Sequence, residues 1–415
     1  MQGYCMENKL SLFDLVLFGL GNVVGAGVFV IIAKSIKHGG NNALPALFLV
    51  SVLSLIMGFC YIEIYNRHPS SITEYLAVND TLGDTAGQIM LYAIYMFALL
   101  SGVTIVTGIT KYISPPSHIG HKTLSIAILA LIAFINSLGI ETSKIVANTI
   151  SLVMLAVLGG AIWLSYPKID FEKAVSAGGE KLGQNFILSA ALSLFLFNGY
   201  DFLVKISDES ANKDDNKVAL TVVLILTAIL YLFIMLSGIS VLGFNAAANS
   251  QNLITQLFSA LTSSHISSAV FMSGAFIMFN TAFLSVMSGT KFLQGLGNKD
   301  KIPFAKWFSE TNSRGAPTNA ILVSLAICVV FALFNNVSLL ALFANFTGIA
   351  TLILISVAVL IYRWRDKDDI KSQLKHNVFK WDNVHNIPVS VVAGLGALFV
   401  LFWNMIKNGF WIDHV

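Results

Sequence analysis

The sequence predicts an all-α polytopic membrane protein, and three observations carry that expectation. Hydrophobic residues fill 56% of the 415 positions and charged residues only 11%, with a mean hydropathy of +0.76, where soluble domains carry about 25% charged residues. From Val218 to Thr290 there is no Asp, Glu, Lys or Arg. Charge-poor windows of about 17–25 residues, each enough to cross a bilayer core of ~30 Å, recur along the whole chain.

In chain order the windows lie near 12–36, 44–65, 86–110, 122–140, 144–166, 183–204, 217–243, 265–290, 317–334, 337–362 and 388–406, about eleven spans in one transmembrane domain covering 1–415. The short polar N-terminus is followed by a long apolar stretch without an A-x-A-type cleavage site, which predicts a retained first helix. Asn335-Asn336 is a turn signal that divides the ninth window from the tenth. With a cytoplasmic N-terminus, 17 of the 25 Lys and Arg fall inside and 8 outside. The opposite orientation would put the basic stretches Lys291–Arg314 and Arg363–Lys380 outside, so the N-terminus is expected in the cytoplasm and the chain in a cell membrane. Phe410 and Trp411 would then anchor the chain at the outer interface.

The same inventory excludes several functions. A net charge of +3 with no basic, aromatic-interleaved patch argues against nucleic acid. Cys5, Cys60 and Cys328 are too widely spaced for a disulfide framework or a metal site, and the eight histidines have no ligand spacing. Neither cofactor nor metal is expected. Gly25-x-Gly27 lacks the Lys and Ser/Thr of a phosphate-binding loop. The spans hold no nucleophile–base pair of an enzyme and no charge ring or repeated filter of a channel.

Two windows are locally broken. The first contains Gly21, Gly25 and Gly27, each costing a helix about 1 kcal/mol, in the run Gly21-Asn22-Val23-Val24-Gly25-Ala26-Gly27-Val28-Phe29. The sixth contains Phe195-Leu196-Phe197-Asn198-Gly199-Tyr200-Asp201, with Asn198-Gly199 as a strong turn signal. Broken spans at matching positions are a mark of secondary transporters built as inverted repeats. The offset of five spans fits repeats of approximately 10–166 and 183–362, with 388–406 as an extra span. Freed N–H groups at one half-helix end would receive a carboxylate, and freed carbonyls at another an ammonium or a cation. A zwitterionic amino acid offers both. The alternative for the glycines is a small-residue packing face.

Several stretches then resemble one family. Leu10-Ser11-Leu12-Phe13-Asp14 followed by Gly21–Phe29 is similar to the opening of amino acid–polyamine–organocation (APC) permeases. Pro45-Ala46-Leu47, Tyr61-Ile62-Glu63, Pro69 and Glu74-Tyr75 follow in that family's order. Asn136–Ile140, then Phe195–Asp201 with Asp208-Glu209-Ser210-Ala211-Asn212, resemble its cationic-amino-acid-transporter-like members. Ser288–Lys291, Asp300–Pro303 and Ala316-Pro317 extend the likeness, which covers about residues 10–405.

The resemblance implies ten core helices in two inverted five-helix repeats, with an amino acid held at the midplane and moved by alternating access. Val23, Gly25, Ala26 and Gly27 would meet the substrate carboxylate through their backbone. Phe195, Leu196 and Asn198 would offer carbonyls to its amino group beside Gly199, with Phe195 as an aromatic lid. Where many proton-coupled relatives carry a lysine, this chain has Met154, which cannot protonate. Sodium coupling through first-span carbonyls and Ser285 or Ser288, proton coupling, and exchange without an ion all stay open. Asp201 either acts in the site, pairs with Lys205 or caps the resumed helix. Glu209 and Lys291 are candidates for an inner gate, and Lys213 stands in place of the family's proline. The expected function is L-amino-acid transport, with polyamine transport or a transport-inactive amino-acid sensor as alternatives.

Overall fold

The computed structural model describes residues 9–113, 120–176 and 184–365, together with Gly396. Among these the regular structure is helical, apart from one isolated bridge between Leu10 and Ser210. The helices are α1 (Leu12–Val23), α2 (Gly25–Gly39), α3 (Ala43–Arg67), α4 (Thr73–Leu82), α5 (Asp84–Tyr112), α6 (His121–Ser137), α7 (Ile140–Ser165) and α8 (Phe171–Ser176). They continue with α9 (Gln184–Leu196), α10 (Phe202–Lys205), α11 (Lys213–Leu242), α12 (Phe244–Ala248), α13 (Leu253–Leu261), α14 (Ser264–Asn298), α15 (Ala305–Ser309), α16 (Thr318–Phe334) and α17 (Val337–Arg365).

Helices lie over each window from 12–36 to 337–362. The window 388–406 and the Phe410–Trp411 anchor fall outside the described residues. Among the described residues six stretches are long and apolar enough to cross a membrane: Ile31–Arg67, Asp84–Tyr112, Ile140–Lys168, Lys213–Leu242, Ser264–Asn298 and Leu339–Arg365. The first is turned at Gly40–Asn42, which divides it between α2 and α3. Phe48, Phe134, Trp163, Phe276, Leu322 and Val330 stay largely exposed on the helix surfaces, a disposition suited to lipid and not to water. The chain is an integral, multi-pass membrane protein.

Local chemistry sets the boundaries. Ser11 opens α1 with a reciprocal capping box, its hydroxyl accepting from the Asp14 N–H while Asp14 accepts from the Ser11 N–H at 2.9 Å. Asn212 and Asn252 cap α11 and α13 in the same sense. Asn335 closes α16 in the left-handed region at φ 49°, a conformation asparagine tolerates, and α17 then begins at Val337.

The long helices pack around α14 and α5, with α17 on the far side of α5 and the pair α2–α9 against the other flank. Small polar residues bring α2 and α9 together. The Ser35 hydroxyl lies 2.8 Å from that of Ser189 and 2.9 Å from that of Ser193, the close, hydrogen-bonded contact that joins helices where apolar burial cannot.

Candidate functional site

The first broken span is interrupted at a single residue. α1 ends at Val23, α2 begins at Gly25, and Val24 between them keeps α-like torsions while its N–H bonds back to Leu20. The carbonyls that a continuous helix would offer to Gly25 and Gly27 are engaged elsewhere: Gly21 accepts from the Thr281 hydroxyl at 3.0 Å and Val23 from the Tyr231 hydroxyl at 2.9 Å. The glycines serve the packing as well as the break. A Cβ on Gly25 would sit 1.3 Å from Thr281 Oγ1, and one on Gly21 would be 2.3 Å from Ser151 Oγ. The glycines thus lie at the interruption and also make a packing face, and α14 approaches α1–α2 at their junction.

The second break spans more chain. α9 stops at Leu196, and Phe197–Asp201 form tight turns before the four-residue α10. Gly199 sits at φ 110°, in a region other residues avoid, and a Cβ there would be 2.8 Å from Asn22 Nδ2. That proximity is a hydrogen bond: the Asn22 side-chain amide donates to the Gly199 carbonyl at 2.8 Å, while its oxygen accepts from Ser285 at 3.2 Å. Tyr231 ties the same two breaks from the other side. Its hydroxyl, fully buried, reaches the Val23 carbonyl at 2.9 Å and the Leu196 carbonyl at 3.0 Å.

A cavity of about 50 Å³ opens where the breaks face each other, room for about four water-sized groups at ~10–15 Å³ each. Val23, Gly27, Phe195, Asn198, Gly199, Asp201, Ser285 and Ser288, all expected from the sequence, line it. Asn22, Thr281 and Ser101 add polar groups, and Phe97, Ala98 and Ile105 of α5 an apolar wall.

Other expected residues lie elsewhere. Gly25 is packed on Thr281 outside the cavity wall, and Ala26 continues the first turn of α2. Leu196 is buried with its carbonyl on Tyr231, so that acceptor, expected to meet a ligand amine, already has a donor. Glu209 and Lys291 pair with each other at one end of the bundle, and Lys291 also donates to Gln294 at 3.3 Å. Met154 is buried in α7. Asp201 does two things at once, lining the cavity and pairing with Lys205, and its side chain makes no cap bond to α10.

Tyr231 and Thr281 escaped the sequence reading. Their signal was faint: a lone tyrosine hydroxyl inside the charge-free α11, and an Asn280-Thr281 pair in the middle of α14. Asn22 sat inside the glycine run itself.

Comparison with known proteins agrees with this architecture. The family model described as amino acid permease matches residues 10–410. A vacuolar cationic amino acid transporter of Arabidopsis thaliana is 22% identical over 88% of this chain and 65% of its own length. A branched-chain amino acid permease of Bacillus subtilis is 25% identical over 99% of the chain and 90% of its own. A methylthioribose transporter of the same bacterium is 24% identical over 96% and 88%. The chain thus spans less than two thirds of the plant relative's length and most of the bacterial ones'. These relatives are named as transporters and not as enzymes, and the chain belongs to the amino acid permease family of the APC superfamily.

Proposed function

We propose that the chain is a secondary transporter that moves L-amino acids across a membrane by alternating access. The observation that carries this reading is the pair of helix breaks facing one cavity and tied to each other through Asn22, Gly199 and Tyr231. With the Val23 carbonyl engaged by Tyr231, the N–H of Gly27, the residue of the first turn of α2 that lines the cavity, is the natural receiver of a substrate carboxylate. The carbonyls around Asn198 and the hydroxyls of Ser101 and Ser285 are the polar groups nearest a substrate amine. Phe195 serves as the aromatic lid.

The order of elements supports a pair of inverted repeats. α1–α2, α3, α5, α6 and α7 make one half, and α9–α10, α11, α14, α16 and α17 the other. Each half carries a short helix after its second span, α4 in the first and α13 in the second. Together with the span expected at 388–406, outside the described residues, this reading has eleven crossings, and Arg67 at the end of α3 with Arg363 and Arg365 at the end of α17 support a cytoplasmic N-terminus.

Cavity chemistry favours neutral substrates. Among the described residues Asp201 is the only carboxylate on its wall, and Lys205 already balances it. Purified protein in liposomes, preloaded with labelled alanine or leucine, is expected to exchange it for external neutral L-amino acids. Arginine should compete weakly and putrescine not at all. Competition by putrescine alone would overturn the amino-acid reading, and binding without exchange would turn it into that of a sensor.

A further inference from the structure

We propose that Glu74, Lys205 and Asp201 form a proton-binding site that couples transport to a proton gradient, with Glu74 as the residue that carries the proton. This rests on the transporter reading above and deepens it.

Glu74 lies on α4, in the first turn of a helix too short to span, and is 0% exposed. Both of its carboxylate oxygens are buried without a hydrogen-bond partner among the described residues. Lys205 Nζ stands 3.8 Å from Glu74 Oε1 and is closely paired with Asp201. Two carboxylates therefore share one buried ammonium, and the group is neutral only while it holds a proton. Because Asp201 has the close contact with Lys205, the proton belongs on Glu74. Burial pushes that carboxyl up to about 7 against the pull of Lys205, and Asp201 raises it further. It would then load and unload near neutral pH.

The surrounding charges are engaged elsewhere. α3 presents Tyr61, set edge-on to Tyr200, and Cys60, all neutral when protonated. Its Glu63 pairs with Arg363 of α17, while Arg365 pairs with Asp80 of α4 itself. Tyr362 of α17 bonds His68 at 2.7 Å. α14 contributes Lys291, held by Glu209, and α11 contributes Lys217, held by Asp214. Asp84 at the start of α5 is exposed, and Asp14 of α1 accepts from Asn148 at 2.7 Å. Each has its own partner or water.

Position gives the group its coupling role. Asp201 lines the substrate cavity on one side, and Glu74 of α4 faces Lys205 of α10 on the other. A proton taken from water on one side of the membrane makes the Glu74 O–H bond, and its return to water on the other breaks it. No other bond changes. Once released, the group carries one net negative charge, which is costly to keep buried. Water must enter between α4 and α10 to solvate it, so proton release and opening of that end become one event.

The test uses the full chain in proteoliposomes with labelled alanine and a pH dye trapped in the lumen. An imposed proton gradient, acid outside, should drive alanine above its equilibrium level and acidify the lumen as it enters, while a sodium gradient does neither. Glu74→Gln should keep alanine exchange between equal pools and lose proton-driven accumulation. Accumulation by Glu74→Gln at the wild-type level would overturn the proposal. So would net alanine uptake by the wild type with no proton movement, a result that decides the matter even if Glu74→Gln fails to fold. Absence of any wild-type exchange would instead strike the transporter reading itself.

Discussion

At the scale of single residues, Tyr231 is the strongest tie between the two breaks, because one hydroxyl serves carbonyls from both. Tyr231→Phe keeps the ring and its edge-on contact with Phe197 at 5.5 Å but leaves the Val23 and Leu196 carbonyls without that donor. Leaving a buried acceptor unpaired costs about 1–3 kcal/mol. The variant should melt earlier in detergent and exchange amino acids more slowly; wild-type melting and exchange together would remove the bridging role. Gly25 tests the opposite limit, of space. Gly25→Ala places a methyl 2.6 Å from Thr281 Cβ as well as 1.3 Å from its hydroxyl, so α2 and α14 must separate and exchange should be lost. Gly27→Ala meets only the far end of Leu196, at 2.8 Å, and should keep part of the activity. Equal exchange by the two variants would contradict the packing described here. Spacing in the sequence pointed to these glycines and to Asn198-Gly199, since backbone breaks leave local signals. It could not point to Tyr231 or Thr281, whose partners lie 208 and 260 residues away.

Among the elements, hydropathy windows found the long helices because each must match the thickness of a bilayer. The short helices α4, α8, α12, α13 and α15 were invisible to the same windows, which average over more residues than these helices contain. That omission mattered most at α4, which carries Glu74. The link after α10 holds a second device. Glu209 pairs with Lys291 of α14, while the Glu209 carbonyl and the Ala211 N–H bond Leu10 at 2.9 Å each. The start of the chain, the end of the second break and α14 are thereby clasped at one end of the bundle. Lys291→Met removes the charged half of the clasp and should let that end open more often. A cysteine at the cavity position Ser101, introduced together with Cys5→Ser, would then react faster with a membrane-impermeant thiol reagent applied from that side, measured against the background of Cys60 and Cys328, both buried. Unchanged labelling would show that the ion pair does not hold the end closed.

For the whole molecule, the buried carboxylate makes a statement about stability that is independent of transport. Glu74 is held up to about 7 in the folded chain against 4.5 for an unperturbed carboxyl, so the folded state binds more protons between those values. Its contribution to stability is full below pH 4.5 and is lost as the pH rises through about 7, by an amount on the order of 3 kcal/mol. His68 acts in the opposite sense. Burial, its largest influence, lowers its imidazole below 6.5, so its contribution is present above that pH and lost as the pH falls. The two effects overlap below pH 6.5, and only a variant separates them. Thermal melting of the purified protein should fall from pH 6 to pH 8, and Glu74→Gln, neutral at every pH, should flatten that fall while leaving the His68 limb below it. If the two proteins lose stability in parallel over that range, Glu74 is already ionised in the folded state, and the charge it shares with Asp201 must be balanced by something other than a proton.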